Sequence, residues 1–570
     1  MAFLDRYKKG FKGDFTGGVT AAIVAIPLGL GFGGLSGLGA EAGLYAAIIL
    51  AIIASIIGGT QTLISDPTAP MVFVAGAIIA AGIKSHPDVM VDGELLMNPD
   101  AWVHIILTFA LAGLFQILFG FLKIAQYVRF IPYPVISGFM GGIGIIIMIG
   151  QLFPIMGHTS PKGAINIFSE INQPLGSVNT WALLLGLGTI SLIYLVPLIS
   201  KKIPSVLVAL VLMTLISYFA MPDEAFEIVG AFKGGLPSPK IGVLANIQFQ
   251  DILNVMVPAI TLASLGTIDT LLTSVVADNM TKTKHNGNKE LMGQGLGNFV
   301  GAFFGALPGA GSTTGTVINI KSGATTHMSG IIKGVFLILV LLFLAPVVKY
   351  VPLPVLAGIL FTIGIGVLDL KGLGMLLKVP RADSAILIIT LLVTVFDTLL
   401  DAVAIGALMA VVTFMKKMSE VMEDMTKEGD LGSFTRDDKL PDELLKKIYV
   451  KQLDGPMFFG FADQFRQQMR SIEGYEAVII DMKQVPFIDE TGLLTLEDAV
   501  TDLYERKIAI YISGANESIY TQFEKVKIPG NLVPEDHFFP YFKHCVKHLR
   551  NKYKYEQSLL EKGASESETE

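Results

Sequence analysis

The octet Ile131-Pro132-Tyr133-Pro134-Val135-Ile136-Ser137-Gly138 returns in the second half of the chain as Val351-Pro352-Leu353-Pro354-Val355-Leu356-Ala357-Gly358. A second echo links Asp66-Pro67-Thr68-Ala69-Pro70 with Pro308-Gly309-Ala310-Gly311-Ser312-Thr313. Two echoes in the same order divide the apolar part of the sequence into halves, 14–220 and 251–417. In each half the broken segment stands third among seven runs, and an odd number of crossings puts the halves in opposite orientations. Gly and Pro are frequent in membrane helices on general grounds. Here the breaks match in position as well as in composition. Paired short segments interrupted by Gly and Pro mark where such a fold holds its solute.

Outward from these echoes, the 570 residues are 52% hydrophobic and 16% charged, with a mean hydropathy of +0.60. Soluble domains carry roughly 25% charged residues. The deficit is confined to 14–417. A helix needs about 20 apolar residues to cross a bilayer. Such runs occupy 15–34, 40–58, 103–122, 131–153, 180–199, 204–220, 256–277, 290–307, 330–349, 355–369, 384–398 and 400–415. The shorter broken segments are 68–83 and 312–321, which brings the expected total to about fourteen. Residues 1–13, with Arg6, Lys8, Lys9 and Lys12, lack a signal-peptide cleavage pattern and are expected as a cytoplasmic segment ahead of a retained first helix. Lys123, Arg129, Lys201, Lys202, the Lys282–Lys289 loop, Lys371, Lys378, Lys416 and Lys417 fall on that same side. Both termini are therefore expected in the cytoplasm, with the chain multi-pass in a bacterial inner membrane.

Other classes are excluded by what is missing. A net charge of -7 offers no basic face for nucleic acid. The single Cys545 excludes an intrachain disulfide framework and a cysteine-rich metal site. The eight histidines have no metal-ligand spacing, and there is no nucleophile triad or phosphate-cradling Gly-Lys motif, so neither an enzyme nor an ATP-driven pump is expected. Beyond a charged linker at 418–440 the composition becomes that of a soluble α/β domain over 441–555. Strands are expected at Ile448–Leu453, Met457–Gly460, Ala477–Asp481 and Ala509–Ser513, with an amphipathic helix at Leu493–Tyr504. The polar residues 556–570 are expected to be disordered.

A charge inside a membrane helix costs about 2.5–3.5 kcal/mol on insertion scales, so it marks function by default. Asp269, in Thr267-Ile268-Asp269-Thr270-Leu271-Leu272-Thr273, is the clearest case. Thr273 lies one helical turn away on the same face, and a carboxylate with a hydroxyl suits Na⁺ or a proton. Gly311, Ser312 and Thr313 would add carbonyl and hydroxyl oxygens. Half-helices starting near Thr68 and Ser312 would each aim free N–H groups at the midplane. Each such end carries roughly +0.5 charge, so two ends balance about one negative charge. With Asp269 cancelled by Na⁺, the balance favours a monovalent anion over sulfate. A structural, hydrogen-bonded carboxylate is the alternative for Asp269. Asp278, Asp397, Asp401 and Asp66 read as interfacial, capping, gating or loop acids.

These residues resemble the SulP family of anion transporters. The likeness covers nearly the whole chain, with its best-marked stretches at Ile131–Phe139, around Asp269, and over Gly295–Ile320. Within the family, Gly266-Thr267-Ile268-Asp269, Leu271–Asn279 and Pro308-Gly309-Ala310-Gly311 are most similar to cyanobacterial sodium-dependent bicarbonate transporters. The resemblance implies a seven-plus-seven inverted repeat with core and gate domains and an elevator motion. It implies a sodium site of Asp269, Thr273, Gly311, Ser312 and Thr313, and an anion site of Thr68, Ala69, Ser312 and Thr313. Many eukaryotic members have an arginine where this chain has Gly315, so positive charge must come from elsewhere, and bound Na⁺ would supply it. The tail resembles a STAS domain, marked by Asp481–Val485 and Ile488-Asp489-Glu490-Thr491-Gly492. Glu490 takes the place of the phosphorylated Ser or Thr of anti-sigma-factor antagonists, which leaves a dimerising and regulatory module and implies a homodimer through this domain. The expected function is import of a small inorganic anion, bicarbonate favoured, by sodium symport, with no cofactor beyond the coupling ion and lipid as surroundings. The alternatives are proton-coupled sulfate or dicarboxylate uptake, a passive anion channel, or a sensor signalling through the tail.

Overall fold

The computed structural model describes residues 2–567 except 88, 92–93, 129, 162–163, 201–203, 223–224, 230–234, 243–246, 398 and 436–439. Arg129, Lys201 and Lys202, used above for orientation, lie outside the described residues. The chain forms two compact units, Met1–Ala410 and Val411–Glu570.

Helices build the first unit. They are α1 (Ala2–Ser36), α2 (Ala40–Ile57), α3 (Ala69–Ser85), α4 (Pro99–Phe121), α5 (Tyr133–Ile155), α6 (Thr180–Ile199) and α7 (Ser205–Ala220). After a long connection come α8 (Phe249–Thr281), α9 (Gly287–Phe303), α10 (Thr313–Lys321), α11 (Met328–Val348), α12 (Leu353–Val367), α13 (Arg381–Phe396) and α14 (Leu399–Met425). Two short strands, β1 (Ser65–Asp66) and β2 (Ala310–Gly311), precede α3 and α10. Among the described residues, seven helices are long and apolar enough to cross a membrane. Helix α1 runs without a break through the described part of the segment expected over 1–13. No helix breaker separates Lys12 from Phe15. The buried Asp14 carboxylate accepts from the backbone N–H groups of Thr325 and Thr326 and from the Thr326 hydroxyl, which ties that turn into the bundle.

Lipid gives little drive for apolar helices to associate, so close packing must hold them together. Glycine provides it along α4 and α9. A Cβ added to Gly113 would lie 2.4 Å from the backbone nitrogen of Phe299, and one on Gly295 would lie 2.6 Å from the Gly113 carbonyl oxygen. Helices α1–α4 pack with α8–α11, while α5 packs on α12 and α13, and α6 on α7 and α12.

The two broken segments meet at the centre. Strands β1 and β2 pair antiparallel, with Ser65 opposite Gly311 and Asp66 opposite Ala310. The chain therefore leaves the two rungs in opposite directions, and α3 and α10 both start just beyond them.

The second unit holds a five-stranded sheet in chain order: β3 (Lys427–Asp430), β4 (Ile448–Asp454), β5 (Ala477–Gln484), β6 (Ala509–Ser513) and β7 (Phe538–Phe539). The first pair is antiparallel and the rest are parallel. Helices α15 (Phe459–Arg470), α16 (Glu490–Glu505), α17 (Glu517–Lys525) and α18 (Phe542–Ser567) complete it. Three expectations are corrected. Met457–Gly460 is not a strand: only Met457 makes an isolated bridge, to Ile488, and α15 begins at Phe459. Phe461, Phe465 and Met469 recur at helical spacing and are buried, so the helix periodicity wins. The linker at 418–440 is structured where described, because α14 continues to Met425 and β3 joins the sheet. Disorder from 556 gives way to α18, which reaches Ser567: Cys545, Val546 and Leu549 anchor its start, and the helix-favouring residues beyond continue it.

Cys545 is fully buried, and burial pushes its thiol up to about 12. The thiolate is the reactive form, so the native protein at pH 8 is expected to resist maleimide and to label fully in denaturant. Mass spectrometry checks this, and rapid native labelling would contradict the packing described.

Candidate functional site

Asp269 lies in the middle of α8 and keeps partial exposure at a narrow cleft lined by Phe139, Met140, Leu272 and Val403. Its Oδ2 accepts a 2.6 Å hydrogen bond from the Thr68 hydroxyl. Thr68 is the N-cap of α3, yet its side chain makes no cap bond. The hydroxyl that would ordinarily satisfy the first helical turn is directed at the carboxylate instead. Ala69 opens the helix and Pro70 follows, so the α3 N-terminus has no side-chain cap.

One turn beyond Asp269, the Thr273 hydroxyl donates to the Gly311 carbonyl at 2.8 Å and lies 2.7 Å from the Thr313 hydroxyl. Three hard oxygens thus converge, the donor type that suits an alkali cation. Thr270 holds the loop in place by accepting from the Gly311 N–H at 3.1 Å. Ser312 behaves differently from Thr68: its hydroxyl caps its own helix by accepting from the Gly315 N–H at 3.2 Å. Thr313 is exposed at the start of α10. The structure therefore joins Thr273, Gly311 and Thr313 directly and joins Asp269 to Thr68, while Ser312 serves as the cap between them.

Sequence reading missed the scaffold behind this site. On α9, Glu290, Gln294 and Asn298 recur every fourth residue and are buried. Glu290 accepts from the N–H groups of Gly59 and Thr60 at 2.8 and 2.7 Å. Gln294 accepts from the Ser65 hydroxyl at 2.8 Å. Asn298 accepts from the Gly309 N–H and donates to the Gly309 carbonyl. One helix face thus holds both broken segments, and the period-four polar stripe was the available signal. Lys333 was also missed. It lies within apolar α11, is wholly buried, donates to the Ser65 carbonyl at 3.0 Å and pairs with Asp66. A separate cavity of about 330 Å³ is lined by residues such as Gly31, Val72, Phe73, Ile147, Gln151 and Leu360, and Asp269 is not among its lining.

In the second unit Asp489 caps α16 by accepting from the Gly492 N–H at 2.7 Å and also accepts from the Phe459 N–H at 3.0 Å. It thereby fixes the first turn of α16, which carries Glu490 and Thr491.

Residues 11–390 match the sequence profile of the sulfate permease family. The chain belongs to the sulfate permease (SulP) family. Residues 443–541 match the STAS domain, which identifies the second unit of this permease. Among its relatives is the bicarbonate transporter BicA of Picosynechococcus sp., 37% identical over 537 residues, which covers 92% of this chain and 93% of that one. The solved transmembrane domain of a cyanobacterium bicarbonate transporter BicA is 41% identical, with a TM-score of 0.60 over 70% of this chain and 97% of the other. The overall structure of SLC26A9 superposes with a TM-score of 0.80 over 97% of this chain and 92% of the other, at 19% identity. It shares the fold of this permease, a helical transporter core with a STAS domain. The family consists of anion transporters, not enzymes.

Proposed function

We propose that this permease imports bicarbonate, or a monovalent oxyanion of similar size, by sodium symport. The carrying observation is the Thr68–Asp269 hydrogen bond. It links the uncapped α3 N-terminus, which suits an anion, to the Asp269 carboxylate of α8, one turn from Thr273 and its Gly311 and Thr313 partners, which suit a cation. Na⁺ would sit among the Asp269 carboxylate, the Thr273 and Thr313 hydroxyls and the Gly311 carbonyl, with Ser312 adjacent. The anion would lie against Thr68, Ala69 and the Ser312–Thr313 end of α10. The 37% identity to a bicarbonate transporter supports the choice of anion.

Under the same reading the halves form an inverted repeat, α1–α4 with α8–α11 is the moving core, and α5–α7 with α12–α14 is the gate of an elevator. Both termini are cytoplasmic, the membrane is the bacterial inner membrane, and two copies pair through the STAS domain, where Phe459, Phe487 and Leu494 are exposed.

The test is labelled-bicarbonate uptake into proteoliposomes with and without an inward Na⁺ gradient, with sulfate and fumarate as competitors. Uptake that requires Na⁺ and is blocked by neither competitor is expected. Preferred movement of sulfate or fumarate would overturn the substrate, and uptake driven by a proton gradient alone would overturn the coupling ion.

A further inference from the structure

The Lys333–Asp66 pair is shut away from solvent at both ends, with Lys333 in the second turn of an apolar helix and Asp66 in a two-residue strand. A buried ion pair stabilises little, if at all, compared with apolar side chains of the same volume. Packing therefore does not account for charge here. Location does. Asp66 stands two residues before Thr68, the N-cap of α3. On the other side, a Cβ added to Gly315, in the first turn of α10, would lie 3.1 Å from Asp66 Oδ2. The pair thus adjoins both helix N-termini that face the anion. Gly315 leaves that carboxylate without a cation from α10, and Lys333 supplies one from α11.

We infer that the Lys333–Asp66 pair fixes the net charge beside the anion and so sets which anion valence the site accepts. The inference rests on the anion site proposed above. With both members present the pair is neutral, and the anion meets the helix ends alone. Without Asp66 a buried cation remains, and its attraction is doubled for a divalent ion. Without Lys333 a buried carboxylate remains, and its repulsion is doubled in the same way. Beside the proposed anion site, where water is partly excluded, one unit of charge is expected to alter affinity about tenfold per unit of anion valence. Lys333 touches no anion in this scheme; it is a positioning residue that determines specificity.

The experiment uses purified full-length protein and reads thermal stabilisation by nitrate and by sulfate, from which a Kd for each follows. Lys333→Gln is expected to raise the ratio of sulfate Kd to nitrate Kd about tenfold, and Asp66→Asn to lower it about tenfold. The double variant, neutral again, should return to within about threefold of the wild-type ratio. Equal weakening of both anions in both single variants, or a double variant no better than either, overturns the inference and leaves a purely structural pair. If a single variant does not fold, Lys333→His replaces it: its ratio should fall between pH 8.5 and pH 6 as the imidazole gains charge. A ratio that follows the wild type across that range overturns the inference as well. Because the probes are test anions, loss of stabilisation by both in the wild type counts against the proposed anion site itself. Ratios that stay fixed in the variants count only against the charge-setting role.

Discussion

Asp269→Asn is expected to reduce Na⁺-driven uptake by about a hundredfold or more, the scale of one lost charge-assisted interaction in a desolvated site. The amide keeps the size of the side chain and still accepts from the Thr68 hydroxyl, so the fold should survive. Asp269 has partial exposure and, among the described residues, a side-chain hydrogen bond from Thr68 that the amide can keep, which makes the exchange mild structurally. What disappears is the negative charge opposite the Thr273, Gly311 and Thr313 oxygens. Under the proposed symport, a cation would then lose its counter-charge, and the anion would lose the cation. The measurement is initial rate against Na⁺ concentration in proteoliposomes, beside the thermal midpoint of the same protein. Wild-type flux in the variant would mean a passive pathway, because a channel has no use for this carboxylate. A lost midpoint alongside lost flux would return Asp269 to a structural role.

Gly295→Val is expected to have the largest effect on folding. Its added Cβ would lie 2.6 Å from the Gly113 carbonyl oxygen, 2.7 Å from the Ile117 nitrogen and 2.9 Å from the Gln116 Cβ. Two of these are backbone atoms of α4 and cannot rotate away, so the helices must separate along their whole seam. Overpacking costs about 1–3 kcal/mol where side chains can yield, and about 3 kcal/mol or more is expected where they cannot. The stripe of Glu290, Gln294 and Asn298 would be displaced with α9, so both broken segments lose their holders. Little monodisperse protein should be recovered, and its midpoint should fall by several degrees or more. Gly366→Ala is the control, since a Cβ there meets nothing within 4 Å. A Gly295→Val protein as stable as that control would refute the close-packed seam.

Much of this arrangement could be read before any coordinates. The broken segments were legible because a membrane tolerates irregular backbone only where protein or a cavity satisfies it. Asp269 stood out because a carboxylate in an apolar run is costly. Lys333 did not, because one lysine in α11 leaves the run apolar and its partner, Asp66, is 267 residues away in sequence. The broken segments could be paired by likeness, but their antiparallel rungs are a tertiary fact. Thr68 and Ser312 looked interchangeable as helix starts. Only the fold shows that one caps its helix and the other turns to the carboxylate. In the soluble unit, Met457–Gly460 looked like a strand because four residues are too few to show a period. The buried face of α15 appears only when Phe461, Phe465 and Met469 are read together.

The two rungs between β1 and β2 have a mechanical consequence. Backbone register joins the segment that ends in Thr68 to the segment that ends in Ser312, and the Ser312 N–H adds a 2.7 Å bond to the Ile64 carbonyl. Such a splice is stiff in tension and independent of side-chain identity. The two ends are held together by backbone rather than by exchangeable side chains. If the proposed elevator operates, the compartment would be complete before a stroke began, and the stroke would need no work to assemble or dismantle the seat it carries.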